Sequence, residues 1–275
     1  MKLIRSIVDV SPHRRALIAR LKAAVLVAAA LSLAACAQDQ RRYTSKGDTR
    51  PHPGVAAAHR LPIHGIDVSK WQGPIDWASV SGAGTQFAFI KATEGGDHAD
   101  ERFSENWHGA KAAGIPRAAY HFMTWCRPAH EQAAWFKQVV PADPGAMPPV
   151  LDLEWNNHSR TCSQKVSRPQ ALAMIKVMLR EMEAHTGKRP IIYTDINFHK
   201  DVLEGELSHY PHWVRSTAAE PHVRYNDRRW TLWQYTTTGR VPGISGDVDR
   251  NAFYGSEREW IAFLQNDCDP RFCHR

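Results

Sequence analysis

From residue 62 onward the chain alternates two hydrophobic periods. Short apolar runs with strand character, at 63–69, 86–93, 116–122, 149–155 and 189–194, are separated by helically spaced stretches at 100–114, 128–140 and 168–187. The clearest helix is the last, where Leu172, Ile175, Met178, Leu179 and Met182 fall on one face and read as core packing. Ser167 with Gln170 predicts a capping box at its start, and Gly187 a stop at its end. After residue 205 the helical period fades, and 212–216, 229–236 and 246–253 read as strands joined by loops. Five strand–helix units followed by three bare strands predict an α/β fold whose mainly parallel sheet closes into an irregular, TIM-like barrel.

The first 61 residues follow neither period. A basic stretch over 1–22 runs into "AAVLVAAALSLAAC", an apolar segment too short to span a membrane and typical of a secretory leader over 1–35. Its "LAAC" ending resembles a bacterial lipobox, which would make Cys36 the lipidated first residue of the mature chain. A plain signal peptide cut near Ala35 is the alternative. Residues 36–61 are polar and punctuated by Gly and Pro, which predicts a flexible tether ahead of a domain over 62–275. Such a protein would touch the membrane through its N-terminal lipid alone, in the periplasm or on the outer membrane, or be secreted if the lipobox is absent.

Charge and cysteines change the picture in two ways. Of the formal +7, the leader carries +5 and residues 36–61 carry +3, which leaves −1 for the domain and argues against a nucleic-acid partner. Besides Cys36 there are Cys126, Cys162, Cys268 and Cys273, and an exported chain can pair them. The expected pairs are Cys126–Cys162, between two loops, and Cys268–Cys273, in the tail. No CxxC or HxxxH spacing points to a metal, and no Gly-rich turn points to a phosphate-bearing cofactor.

Candidate chemistry sits in "PPVLDLEWN" at 148–156. In a strand, Asp152 and Glu154 share one face, while Leu151, Leu153 and Trp155 share the other. Two carboxyls at the C-terminal end of a barrel strand would face the mouth and raise each other's pKa, as a general acid near neutral pH requires. Taken alone, the pair reads equally well as a salt-bridged strand end or as calcium ligands. The wider context favours chemistry. Asp67 ends the first strand, Asp247 and Asp249 lie on the last, and a closed barrel makes those strands neighbours. Trp71, Tyr120, Trp155, Tyr193, Trp233 and Tyr235 also gather at strand ends, and acids ringed by aromatics suit a sugar chain.

The ordered motifs "GIDVSKWQG", "FAFIKATEG", "AAYHF", "LDLEW", "PIIYT", "WTLWQY" and "GDVDRNAF" resemble the glycoside hydrolase family 25 lysozymes, the Chalaropsis-type muramidases, over about residues 62–264. The resemblance implies a (β/α)5(β)3 barrel, no cofactor, a monomer, and peptidoglycan glycan strands as substrate, cut between N-acetylmuramic acid and N-acetylglucosamine. It implies Glu154 as general acid and base, with Asp152, Asp67 and Asp249 as its acidic partners. Tyr120, Tyr193 and Gln234 would line the groove, with Trp155 and Trp71 as further sugar contacts. Asp152 would either orient the substrate's 2-acetamido group in a retaining reaction or act as a base toward water in an inverting one.

Overall fold

The computed structural model describes residues 49–50, 52–226 and 228–265. One sheet contains β1 (Ile63–Val68), β2 (Phe87–Glu94), β3 (His98–Ala99), β4 (Arg117–Phe122), β5 (Val150–Leu153), β6 (Ile191–Thr194), β7 (His212–Arg215), β8 (Leu232–Gly239) and β9 (Val248–Phe253). Eight of these strands close a barrel in the order β1-β9-β8-β7-β6-β5-β4-β2, with β2 pairing back onto β1. The two-residue β3 only folds back along β2 as a hairpin. All barrel pairs are parallel except those of β9, which runs antiparallel to both β8 and β1. This is the irregular closure expected from the fading helical period.

Parallel neighbours need long crossovers, and helices supply them. They are α1 (Trp77–Gly82), α2 (Phe103–Ala112), α3 (Ala129–Val139) and α4 (Arg168–Thr186). After β6 the crossover shrinks to a short helical turn, Ile196–Phe198, continuing into His199–Leu203. In α4, Ile175, Met178, Leu179 and Met182 are all buried, and Gly187 ends the helix at φ 70°. Its start differs from expectation. Ser167 is the cap residue but its side chain accepts no bond, and Pro169 in the first turn presets the backbone instead.

Strand alternation sorts side chains into two layers. Outward residues such as Ile66, Ile90, Leu151 and Ile192 pack under the helices. Inward residues such as Phe87, Phe89, Val150, Ile191, Leu232 and Phe253 fill the lower barrel. The glycine of "GIDVSK" belongs to this second layer. A Cβ on Gly65 would lie 2.4 Å from the Phe87 ring, so only glycine lets that ring cross the strand.

Two segments depart from the sequence expectation. A final helix, α5 (Glu257–Leu264), follows β9 and starts on a capping box between Ser256 and Glu259. Its Trp260 and Phe263 stack against Phe253, and Trp260 also meets Phe87, so the helix plugs the barrel floor. Eight residues carry too few turns for a visible period. The second lies within residues 36–61, where the sequence predicts a tether. Residues 53–55 and 58–60 form 3-10 turns whose Val55 and Ala58 are buried with Trp233, Tyr235 and Ala252. They cover the outer face of β8 and β9, where no crossover helix lies. The leader, Cys36 and the expected Cys268–Cys273 pair lie outside the described residues. Among the described residues no helix is long and apolar enough to cross a membrane.

Candidate active site

Most barrel strands turn polar on their inner face as they approach the mouth. Asp67 sits one pair step from Gly65 on β1, directly across from Asp249 on β9. Its Oδ2 accepts from Asn251 Nδ2 at 2.8 Å and from Gln234 Nε2 at 3.0 Å. Gln234 Nε2 also reaches Asp249 Oδ2 at 3.3 Å, and its Oε1 accepts from the Tyr193 hydroxyl at 2.8 Å. The Trp213 indole fixes Asn251 from below at 2.8 Å. Burial, then the neighbouring Asp67, pushes Asp249 up to about 9. Burial raises Asp67 too, against the two amide donors that favour its charged form. Between these two adjacent buried carboxyls, burial and their shared interaction favour a proton on Asp249 over Asp67.

The second acidic group tops β5. Asp152 is inward and buried, and Glu154 follows one residue beyond the strand end. Burial and then the charge of Glu154 hold Asp152 well above the usual carboxylate range. Its Oδ1 is buried and has no hydrogen-bond partner among the described residues. Burial and then Asp195 raise Glu154 to about 7, against Arg215 and the Tyr193 hydroxyl. Asp195 follows β6, the neighbour of β5, and caps the next turn by accepting from Phe198 N at 2.7 Å. The Glu154 backbone is pinned by the Trp125 indole, which donates to its carbonyl at 2.7 Å. Trp125 in turn stacks on Phe198 at 5.0 Å, and the Cys126–Cys162 disulfide ties its loop to the loop after Glu154. Three loops thus share the task of holding one carboxylate in place.

The structure divides the expected aromatic ring. Tyr193 and Tyr120 face the acids, and burial, aided by those acids, pushes both phenols well up. Trp71 stands at the rim, 81% exposed, on the 3-10 turn that follows β1. Three others do not belong to the mouth. Trp155 has the parity of Leu153 and packs outward on Trp125 and Phe198, with its indole donating to Asp201 at 2.8 Å. Trp233 and Tyr235 flank the inward Gln234 and so face the outer layer under residues 55–58. Asp247 is likewise outside the site, paired with Arg240 at 2.9 Å. Asn251, Asp195 and Arg215 join the site without being among the sequence candidates. Asn251 was within reach, two residues after Asp249 on one strand face. The other two carry no local signal.

The sequence and fold both have known counterparts. Residues 66–244 match the model of the glycosyl hydrolases family 25. Lysozyme M1 of Streptomyces globisporus is 40% identical over 223 residues, covering 77% of this chain and 74% of its own length. The crystal structure of a bacterial lysozyme from Streptomyces coelicolor superposes with a TM-score of 0.68 at 38% identity, covering 75% of this chain and 98% of that one. A family 25 glycosyl hydrolase from Bacillus anthracis gives 0.67 at 34% identity, covering 73% and 93%.

Proposed function

The chain belongs to the glycosyl hydrolases family 25 and is a glycoside hydrolase; from that premise we propose that it is a peptidoglycan hydrolase, a lysozyme cutting between N-acetylmuramic acid and N-acetylglucosamine. The observation that carries the proposal is the pairing of a glutamate held near 7 with a buried aspartate whose Oδ1 has no partner. Glu154 is the general acid and Asp152 the group that orients substrate.

The free pair holds one proton near neutral pH. A 2-acetamido N–H donating to the bare oxygen of Asp152 draws the negative charge there and leaves the proton on Glu154. Glu154 then gives that proton to the glycosidic oxygen as the bond to the anomeric carbon breaks. The acetamido carbonyl oxygen attacks the same carbon and closes a cyclic oxazolinium, whose positive charge Asp152 offsets. Glu154, now ionised, takes a proton from water, which opens the ring with net retention. Asp67 and Asp249 act through Gln234 and Tyr193 to hold the charged wall of the site. Trp71 offers a face for a sugar ring at the rim.

Digestion of purified peptidoglycan by wild type beside Glu154→Gln tests this. Wild type should release muramic acid reducing ends, and the variant should lose about a hundredfold or more in rate. Ends of N-acetylglucosamine would overturn the bond assignment, and binding without turnover in both proteins would make the chain a carbohydrate-binding protein. The leader and "LAAC" support export with a lipid on Cys36, which lipid labelling of wild type against Cys36→Ser decides.

A further inference from the structure

Arg215 is the unexplained charge in the mouth. It ends β7 two residues above Trp213, so the two share the inward face. Register places it directly beside Gln234 on β8. Its backbone is fixed, since the Tyr225 hydroxyl donates to its carbonyl at 2.6 Å. Its charge acts on Glu154 and Asp195, which follow β5 and β6, and on Asp67 and Asp249 of β1 and β9. Yet among the described residues its guanidinium makes no hydrogen bond, and no carboxylate lies within 4.0 Å of it. Three other cations, two on barrel strands and one behind Tyr225, are engaged. Lys91, also in the mouth, pairs with Glu94 at 2.7 Å, and Arg117 with Asp143 at 2.7 Å. Arg228, half-buried on the other side of Tyr225, donates to His199 at 3.0 Å and to the Glu206 carbonyl at 2.8 Å.

A half-buried guanidinium with its donors free beside four acids is poorly explained as a structural group. Pairing with any of those acids would be favourable, yet the guanidinium pairs with none of them among the described residues. Its planar fork matches a carboxylate in two parallel bonds. We propose that Arg215 is a specificity-determining residue that binds a carboxylate of the substrate, carried either by the 3-O-lactyl arm of the muramic sugar or by the peptide stem attached to it. The assignment rests on the glycan-cleaving function proposed above and adds to it a selection for acidic over neutral amino-sugar chains. An uncharged chain of N-acetylglucosamine offers Arg215 nothing and leaves it desolvated without a partner, which is how a polar site rejects the wrong ligand.

The test measures binding in the Glu154→Gln background, so that glycan is not consumed, with and without Arg215→Gln. Three probes are compared: peptide-free glycan strands with free lactyl carboxylates, the same strands with those carboxyls converted to methylamides, and muropeptides with intact stems. Losing Arg215 should weaken a carboxylate-bearing probe roughly tenfold to a hundredfold, the range for a hydrogen bond to a charged group. The methylamide strands should bind equally to both proteins. A loss confined to the first probe places the carboxylate on the sugar, and a loss confined to the third places it on the stem. Equal loss on all three, or none, overturns the assignment. So does an unchanged affinity with a shifted pH–rate profile in Arg215→Gln alone, which would make Arg215 a regulator of Glu154. Arg215→Lys, which keeps the charge and loses the fork, should fall between the two and guards against a folding defect. Selective binding by a protein that never cleaves peptidoglycan would keep the assignment and remove the activity, so the two claims fail separately.

Discussion

Val150 and Asp152 on β5, Ile191 and Tyr193 on β6, and Leu232 and Gln234 on β8 each lie two positions apart. The lower member of each pair belongs to the apolar filling of the barrel, and the upper member belongs to the site. On the antiparallel β9 the order reverses, from Phe253 at the floor through Asn251 to Asp249 at the mouth. One strand period therefore serves both halves, and height along the barrel decides what the position does. Below, rings meet rings: Phe89 lies 4.2 Å from Trp213, and Trp260 closes the floor. Above, carboxyls meet carboxyls, and burial raises Asp152 and Asp249 well above the usual carboxylate range. The lower half supplies stability that the upper half partly consumes.

The largest test of that contrast is in the floor. Phe89→Ala empties a fully buried position and should cost about 3–5 kcal/mol, lowering Tm by roughly 10 °C. The protein that remains folded should keep its pH–rate profile, because no mouth residue is touched. Thermal unfolding showing a loss below about 1 kcal/mol would mean that the lower layer does not carry the fold.

Asp249→Asn should act in the opposite direction. Asp249 has a folded pKa raised to about 9, far above that of the unfolded chain. The native state then holds a proton that the unfolded chain has released, so the group's contribution is complete below about pH 4 and is lost as pH rises toward 9. Asparagine removes that decline. Tm at pH 8 should rise by about 2–4 °C, for a gain of about 1 kcal/mol, while hydrolysis falls. A lower Tm at pH 8 would show that Asp249 stabilises the mouth in its native form.

The smallest effect concerns Asp195. Wild-type kcat/KM should fall above about pH 7, as Glu154 loses the proton it must donate. In Asp195→Asn the nearby negative charge is gone, which lowers the Glu154 pKa and moves that limb toward acid by roughly one unit or less. Asparagine can still cap the turn at Phe198, so Tm should hold. A limb that stays in place would leave burial and the charge of Asp67 to account for the raised Glu154.

The sequence made the proposed catalytic pair legible because strand period, turn residues and an apolar background all coincide at Asp152 and Glu154. Asp67 and Asp249 were legible for the same reason, once the first and last strands were taken to be neighbours. Trp155, Trp233 and Tyr235 were misplaced because their position at strand ends says nothing of which face they occupy when a loop or a covering segment packs outside. Residues 52–61 have the composition of a tether, yet Val55 and Ala58 find an uncovered sheet face to fill.

What the sequence determined by itself was the set of periods: which positions are strand, which are helix, and which carboxyls share a side. Only the tertiary structure decided height and company. It brought Asp195, just past the end of β6, near Glu154, set Arg215 among four acids without a partner, and closed the floor with an eight-residue helix. Local patterns record the direction of a side chain, because backbone geometry sets it. They do not record electrostatic neighbours, because those come from strands dozens of residues apart that meet only when the barrel closes.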